Sequence, residues 1–428
     1  MMAREALDRT VRLVRDAVPD EVSDDEIVYR LQAMRVRCVA DDANVTSRSG
    51  QTALVTLISL VARMGVQIAL DVPDVELVGP QPPLRGTRLR SALIDLGQDL
   101  VPGTTVTDDP AIPCDLSVVL GNTAVARRQA GWRMTGGTSS GTIAEIETRG
   151  HLWDASGPIG GMTSAALVAP EILKAAVRAL PLRHPIWREL LAPCRSATWD
   201  FEVNGLALPA EVTAVDIISA GAISQAALFA LFRLPVKLVG RLFEHDVAEL
   251  SNVNRQVLFR RSDSGPKAEI VGRCAPPLID LTPVLEPFTL PASAQRLPLA
   301  PHVVVGVDDI PARWDVQRAA RCWVGVGATS HFEASTSSHL PRQPCAGCLH
   351  PVDDARRGEQ IPTASFISFW AGLALAVRLL REIGGNPYGP NRQHLWLAPL
   401  RMDQRNATLW RPVAARSDCP VACAASKA

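Results

Sequence analysis

The chain has 428 residues, which is enough for two domains. Its 44 basic and 44 acidic residues balance, so a nucleic-acid partner is not expected. Although 47% of the residues are hydrophobic, no run reaches the roughly 18 uncharged apolar residues that a membrane helix needs. The first residues also lack the apolar segment of a signal peptide. We therefore expect a cytoplasmic protein without a membrane partner.

The N-terminal half has the pattern of a Rossmann-like unit without a polar site. Strands and a helix are predicted, in chain order, at residues 35–40 (strand), 50–64 (helix), 67–71 (strand) and 114–121 (strand). Asp41 and Asp42 occupy the turn where phosphates would lie, and they would repel them. The glycine-rich residues 136–141 predict a loop. We therefore predict a degenerate, inactive lobe over residues 1–205, with the proline-studded residues 181–209 as the linker.

The C-terminal half repeats this pattern and retains polar residues. A strand at 215–219, a turn with Gly221, an apolar helix at 225–232 and a strand at 236–243 are predicted. In such units phosphates approach the amides at a helix N-terminus, and an acid about 20 residues beyond the turn holds the ribose hydroxyls. Glu244 is that acid. The turn has one glycine, Gly221. It has Ser219, Ala222 and Ser224 where a fuller motif would have glycines.

Fixed charges after these strands favour a nucleoside triphosphate. Arg255 offers a planar fork and Lys267 a point charge for phosphates and a leaving pyrophosphate. A further strand predicted at 301–307 ends at Asp308, which is placed to hold Mg²⁺ between phosphate oxygens. The alternatives are a solvated charged loop, and an Asp308 that caps the next helix and pairs with Arg313; Asp309 is the other candidate for that cap.

Nine cysteines without a secretory segment argue against a disulfide framework. Two close pairs could together bind Zn²⁺ tetrahedrally: Cys345, Cys348, Cys419 and Cys423. The alternative is four reduced, unliganded thiols. The remaining cysteines lie among apolar neighbours, which is typical of small buried residues: Cys38, Cys114, Cys194, Cys274 and Cys322.

Three other segments of the C-terminal half are predicted from composition. Residues 276–301 hold many prolines and predict an irregular excursion. Residues 330–344 are rich in Ser and Thr and predict a mobile loop over the site, with His331 and His339 as candidate ligands or acid–base groups. Residues 363–380 predict a buried helix.

The motif Ser-Asn-Val-Asn-Arg-Gln at 251–256, followed by Lys267 and Asp308, resembles the adenylation domain of the ubiquitin-activating-enzyme superfamily. That superfamily includes the molybdopterin-synthase and thiamine-pathway adenylyltransferases, and the resemblance covers at least residues 211–428. It implies that Glu244 stands at the ribose-binding position and that Asp308 is the Mg²⁺-associated acid. It further implies that an ATP site is lined by Asn252, Arg255, Gln256 and Lys267.

The resemblance also implies an architecture. An inactive lobe commonly pairs with an active one, so we expect an α/β pseudo-dimer of two tandem Rossmann-like lobes, each a mostly parallel sheet flanked by helices. A C-terminal zinc clamp would complete the active lobe at residues 206–428, and the chain could be a monomer. The family's Arg-x-x-Arg segment matches Arg9 to Arg12, and Arg12 would reach the triphosphate. The alternative is a solvated helix face.

The function that this resemblance implies is ATP-dependent adenylation of the C-terminal carboxylate of a ubiquitin-like or sulfur-carrier protein with a glycine tail. The products would be acyl-AMP and pyrophosphate, and a downstream conjugating or sulfur-transfer protein would be a further partner. Many relatives carry a nucleophilic cysteine in a crossover loop, but residues 350–365 contain none, so a thioester on this chain is not expected. Two alternatives are a peptide-modifying adenylyltransferase and a catalytically silent scaffold. A nicotinamide dehydrogenase ranks last because it gives Arg255 and Lys267 no role.

Overall fold

A computed structural model describes residues 2–18, 22–125, 130–153, 157–203, 205–290, 292–351, 361–389, 392–397 and 408–423. Two separate sheets, each flanked by helices, account for the strands of these residues. None of the helices in these ranges has both the length and the apolar character required to cross a bilayer.

The first sheet is mostly parallel. Its strands are β1 (Arg35–Val39), β2 (Gln67–Asp71), β3 (Val106–Thr107), β4 (Leu116–Leu120), β5 (Gly131–Gly136), β6 (Ser140–Glu145) and β7 (Ser196–Asp200). Its helices are α1 (Met2–Ala6), α2 (Asp8–Ala17), α3 (Asp24–Ala33), α4 (Asp42–Val45), α5 (Arg48–Ala62), α6 (Leu89–Gln98), α7 (Ile159–Arg178) and α8 (Ile186–Leu190). The strand order is β3-β2-β1-β4-β5-β6-β7, and β6 is antiparallel to both of its neighbours, β5 and β7.

The second sheet repeats this order. Its strands are β8 (Thr213–Ile218), β9 (Leu238–Phe243), β10 (Ile279–Val284), β11 (His302–Val305), β12 (Trp323–Ser330), β13 (Glu333–His339), β14 (Arg392–Leu397) and β15 (Thr408–Pro412). Its helices are α9 (Ala222–Leu231), α10 (Lys267–Arg273), α11 (Ile310–Ala319), α12 (Ala346–Leu349) and α13 (Ser365–Ile383), with short 3-10 turns at Leu250–Asn252 and Ala294–Arg296. The order β10-β9-β8-β11-β12-β13-β14-β15 matches the first sheet, with one strand added.

The prediction of two tandem Rossmann-like lobes is therefore confirmed. In each sheet the first two strands of the chain are parallel and a buried helix connects them: β1-α5-β2 in the first lobe and β8-α9-β9 in the second. The predicted elements lie within a few residues of the observed ones because their apolar runs match the lengths of buried strands and helices. The predicted boundary at residue 205 falls between β7 and β8, and it stays a prediction.

The two lobes share one hydrophobic core. A continuous cluster of buried residues extends from the first helices of the chain through α5, α7, α9 and α13 to Trp396 on β14. Trp199 of β7 lies 6.1 Å from Trp370 of α13 between ring centroids, and it stacks on His394 of β14 at 5.3 Å. Burial of such large rings stabilises each contact by about 1.5–3 kcal/mol per side chain, so the lobes pack as one body.

The prediction of a mobile loop at residues 330–344 is wrong, because Glu333–His339 form β13 in the interior of the second sheet. Its polar composition has a tertiary cause. The buried Arg378 of α13 donates hydrogen bonds to Thr336 Oγ1 and Ser338 Oγ, both at 3.0 Å. The hydroxyl groups therefore solvate a buried guanidinium rather than facing water. His339 is also buried and bonded to Ser337 Oγ at 2.9 Å.

The loop predicted at residues 136–141 is confirmed as the turn of the β5–β6 hairpin, with its ends paired in the two strands. Two other loop predictions need correction. Residues 181–209 contain β7. Residues 276–301 contain the edge strand β10, in which Pro283 is tolerated because an edge strand needs fewer backbone donors. The predicted helix at 363–380 is confirmed as α13.

Candidate active site

A cavity of about 670 Å³ opens at the carboxyl ends of β8, β9 and β11. The chain runs from β8 outward to β9 and β10 and then crosses to β11 on the other side, so the strand order reverses here. Parallel α/β sheets bind ligands at such a switch point. The cavity brings together the residues predicted for the C-terminal lobe's site: Gly221, Glu244, Asn252, Arg255, Gln256, Lys267 and Asp308. Their individual roles remain predictions.

The β8–α9 turn presents a helix N-terminus to the cavity. Gly221 is the N-cap of α9, and it lines the cavity together with Ala222 and Ile223. Backbone amides and the helix dipole at such a terminus favour anions. Ser219 holds a φ of +80°, in the left-handed region that favours glycine, and its Oγ accepts from the Gly221 amide at 2.9 Å. The local hydrogen bond offsets part of the backbone strain.

Gly306, just after β11, allows the close approach of α9 that a glycine at position 224 would otherwise allow. A Cβ on Gly306, which follows β11, would lie 2.3 Å from Ser224 Oγ and 2.9 Å from Ser224 N. The helix can therefore approach the sheet closely although residue 224 is not glycine. The sequence analysis missed Gly306, and its only signal was a glycine placed just before Asp308 at the end of a valine-rich strand.

Glu244 follows β9 and holds the β8–α9 turn at the end of that strand. Its Oε2 accepts from Ala220 N at 3.0 Å and from Ser219 Oγ at 3.3 Å, while Oε1 accepts from the amides of His245 and Asp246 at 2.9 and 3.0 Å. A carboxylate has about four lone-pair sites, so all of them are occupied. A ribose hydroxyl would have to replace the longest of these bonds, the one from Ser219.

Asn252 and Gln256 shape the segment that carries them. Asn252 Oδ1 accepts from Glu249 N at 3.1 Å and closes a capping box, and Gln256 Oε1 accepts from Gln225 Nε2 of α9 at 3.0 Å. Both side chains are buried but line the cavity. Their shared effect is to hold residues 250–259, which we call the nucleotide loop, against α9.

Arg255 is the cation of the nucleotide loop. Its Nη1 donates to Ser251 O at 2.5 Å and to Asn254 Oδ1 at 3.0 Å, which directs the guanidinium along the loop. Burial lowers the pKa of Arg255 to about 10, an effect reinforced by Arg9 and opposed by Asp308. The group is therefore charged at neutral pH and available to an anion.

Lys267 begins α10, and its Nζ lies 2.8 Å from Asp246 Oδ2. Burial acts to raise the pKa of Asp246, but the hydrogen bond and charge of Lys267 lower it overall. A phosphate would thus compete with Asp246 for the ammonium. The side chains of Glu244, His245 and Asp246 lie close enough for a metal ion, yet Glu244 and Asp246 already have these other partners.

Asp308 lies exposed at the cavity wall just beyond β11. In the part of the chain that the structure describes, no hydrogen bond or ion pair engages its carboxylate. The helix cap is Asp309, whose Oδ2 accepts from Ala312 N at 2.7 Å. Arg313 donates both Nε and Nη2 to Val307 O, at 3.0 and 2.9 Å, so the alternative of an Asp308 cap paired with Arg313 is not observed.

The N-terminal arginine on the cavity lining is Arg9 rather than the predicted Arg12. Arg9 Nη1 donates to Ile361 O at 2.8 Å. Burial lowers the pKa of Arg9, and the neighbouring Asp308 opposes that effect. Arg12 follows on α2 with its Nη2 3.8 Å from Asp8 Oδ1. Both arginines fit the Arg-x-x-Arg spacing, so only the packing of α2 on the second lobe distinguishes them.

The matching position of the first lobe is filled by protein. Asn44 of α4 is fully buried near the ends of β1 and β4, where its Nδ2 donates to Asp41 Oδ1 at 2.8 Å and to Asn122 Oδ1 at 2.9 Å. Its Oδ1 accepts from Trp153 N at 2.8 Å. These bonds join the turn after β1 to the residues after β4. The inactivity of this lobe stays a prediction.

The two cysteine pairs converge near the C-terminus. The Sγ atoms of Cys345 and Cys419 are 3.4 Å apart, those of Cys348 and Cys423 are 3.6 Å apart, and those of Cys345 and Cys348 are 4.0 Å apart. A tetrahedral zinc site with Zn–S bonds of about 2.3 Å has S···S edges of about 3.8 Å. This group, the four-cysteine cluster, is compatible with a zinc site.

No cysteine of the described residues lines the cavity. Cys38 and Cys194 are buried as expected, but Cys322 is exposed because it lies in the turn before β12. The predicted crossover loop falls mainly on residues 352–360, which lie outside the described residues. Its sequence contains no cysteine.

Residues 211–421 match the ThiF family, and residues 35–181 match the BilD N-terminal domain. No curated protein matches the sequence. Three solved structures are similar to the chain. PaaA has 15% sequence identity and a TM-score of 0.39, and the match covers 47% of this chain and 73% of PaaA. E. coli MccB with ATP has 15% identity and the microcin C7 biosynthetic enzyme MccB with N-formylated MccA has 16%, and each match has a TM-score of 0.42 and covers 68% of this chain and 97% of the other. Residues 211–421 are thus a ThiF family domain, of the ubiquitin-activating-enzyme-like adenylyltransferase superfamily, and a BilD N-terminal domain precedes it at residues 35–181.

Proposed function

We propose that this adenylyltransferase activates the C-terminal carboxylate of a small ubiquitin-like or sulfur-carrier protein with a glycine tail. The observation that carries the proposal is the cavity at the switch point, whose lining brings together Arg9, Arg255, Lys267 and the exposed carboxylate of Asp308. Three cations on one lining, with an acid that has no hydrogen bond or ion pair among the described residues, suit a polyphosphate and its metal ion. The nature of the acceptor rests on the resemblance of residues 251–256 to the superfamily's motif.

The proposed reaction needs no side-chain base. An oxygen of the acceptor carboxylate attacks the α-phosphorus of ATP, the bond to the bridging oxygen of the β-phosphate breaks, and pyrophosphate leaves with the electron pair. The contribution of the protein is positioning and neutralisation of charge on the phosphates. Arg255 and Lys267 would neutralise the phosphates, and Arg9 would approach them from α2.

Two metal ions belong to the proposal. Asp308 would hold Mg²⁺, which when bound neutralises charge on phosphate oxygens. The four-cysteine cluster would hold Zn²⁺ as a structural clamp, since four protein ligands leave no open position for chemistry. The clamp would join α12 to the C-terminal residues 419–423.

The absence of a cysteine from the described cavity lining favours direct use of the acyl-adenylate. A nucleophile of a downstream conjugating or sulfur-transfer protein would then accept the acyl group. The same observation favours a second candidate, in which the carboxylate belongs to a ribosomally made peptide. The two candidates differ in the acceptor and share the chemistry at the α-phosphate.

Pyrophosphate exchange tests this proposal. The purified chain, Mg-ATP and labelled pyrophosphate are combined with a ubiquitin-like protein ending in glycine, with the same protein lacking its last two residues, or with a peptide. We expect exchange only with an intact carboxyl tail. Exchange with the peptide alone would select the second candidate. No exchange with any acceptor, together with no binding of ATP, would identify a silent scaffold and refute the proposal.

A further inference from the structure

Arg63 of the first lobe reaches into the second lobe behind the ATP cavity. It follows α5 and is fully buried. Its Nη1 donates to Val253 O at 2.6 Å, and its Nη2 donates to Val257 O at 3.0 Å and Phe259 O at 2.6 Å. All three carbonyls belong to the nucleotide loop. One guanidinium is therefore hydrogen-bonded to the backbone on both sides of Arg255.

The environment of Arg63 indicates a role in orienting the nucleotide loop, in addition to stabilising the fold. A buried charge is costly unless it is paired or fully hydrogen-bonded. Here the acceptors are backbone carbonyls and Ser59 Oγ at 3.2 Å, and no ion pair within the described residues neutralises the guanidinium. Because the fork of donors is planar and rigid, it restricts the directions of the three carbonyls. Those directions decide where the loop's side chains point.

A second arginine provides an internal comparison. Arg233 follows α9, the counterpart of α5, and it is also buried. It crosses the same boundary in the opposite direction, with Nε 2.9 Å from Gln81 Oε1 and Nη2 2.6 Å from Pro82 O. These two partners lie in a loop of the first lobe that contributes nothing to the lining of the ATP cavity, and Nη1 donates to Phe229 O of α9 itself. The two residues thus match in burial and in lobe-bridging contacts, but only Arg63 contacts the nucleotide loop.

We propose that Arg63 is a positioning residue for adenylation, through which the first lobe holds the nucleotide loop in its ATP-binding shape. The inference rests on the proposed function and deepens it, because it assigns the first lobe a part in the chemistry. Arg63 does not touch the cavity, so its effect passes through Asn252, Arg255 and Gln256. A misplacement of about 1 Å in such groups is enough to cost about 100-fold in rate.

The test compares Arg63→Met with the matched Arg233→Met in the full chain, below both melting temperatures. For Arg63→Met we expect faster amide hydrogen exchange in residues 250–259 and at least about a tenfold loss in both ATP affinity and kcat/KM for ATP. Arg233→Met should lower the melting temperature similarly while its ATP affinity stays within about threefold of the wild type. Arg63→Lys should be intermediate, because an ammonium lacks the planar fork.

Wild-type ATP affinity in Arg63→Met, or an equal loss in Arg233→Met, would overturn the inference. If Arg63→Met does not fold, Arg63→Lys decides by the same ATP-affinity and exchange criteria. ATP binding and hydrogen exchange do not depend on the acceptor. Failure of the wild type to exchange pyrophosphate would therefore refute the proposed function and leave the assignment of Arg63 to be judged by those two measurements.

Discussion

Replacing Asp308 with alanine should separate catalysis from folding. Its carboxylate is exposed and engages no partner among the described side chains, so its removal should leave the melting temperature and zinc content unchanged. Loss of a preorganised charge contact at a reacting phosphate costs about 3–4 kcal/mol, or about 100- to 1000-fold in rate. We expect pyrophosphate exchange to fall by at least that much.

The neighbouring Asp309 is the matched control for this prediction. Its Oδ2 caps α11 through a 2.7 Å hydrogen bond to Ala312 N, and loss of such a cap costs about 1 kcal/mol of stability. Asp309→Ala should therefore lower the melting temperature, while its rate of pyrophosphate exchange stays within about threefold of the wild-type rate. Exchange, melting and zinc content are measured on both variants. An Asp308→Ala enzyme of normal activity, or equal losses in both variants, would refute the assignment of the metal-holding acid.

Three further outcomes are expected. Arg9→Ala should slow pyrophosphate exchange by about tenfold or more and Arg12→Ala by less than about threefold, because Arg9 lines the cavity. The reverse ranking would favour the role predicted for Arg12. Chelation of zinc from the four-cysteine cluster should lower the melting temperature and release about one ion per chain, and a metal-free protein of unchanged stability would exclude a structural zinc. Gly306→Ala should destabilise the fold by about 1–3 kcal/mol through its clash with Ser224, which lies 2.3 Å from the added Cβ. Ser224→Ala in the same chain should relieve part of that loss, and additive effects in the double variant would contradict the close approach.

Much of the site was predictable because its residues come directly after strands that the sequence itself predicts. Glu244 and Asp308 each come just after a strand of the parallel sheet, and the carboxyl ends of such strands share one edge. The apolar runs of β8, α9 and β11 and the motif at 251–256 could therefore be combined into one cavity before any distance was known. Their proximity is a consequence of topology, whereas their roles still await the experiments above.

Other features depend on contacts between distant parts of the chain. The polar residues of β13 predicted a loop, since their buried partner Arg378 lies some forty residues further along. Residue composition cannot reveal that a hydroxyl solvates a guanidinium rather than meeting water. In the same way Asn44 fills the first lobe's site only because β4 brings Asn122 beside it.

The sequence by itself determined the class of fold, the two cysteine pairs and four charged residues of the cavity, Glu244, Arg255, Lys267 and Asp308. Each of these is encoded in a short periodic run or a local spacing. Only the tertiary structure decided that Arg9 rather than Arg12 lines the cavity and that Arg63 reaches the nucleotide loop across nearly 200 residues. These choices depend on how the first lobe packs against the second. Packing is set by the shapes of whole surfaces, which no local pattern in a single chain records.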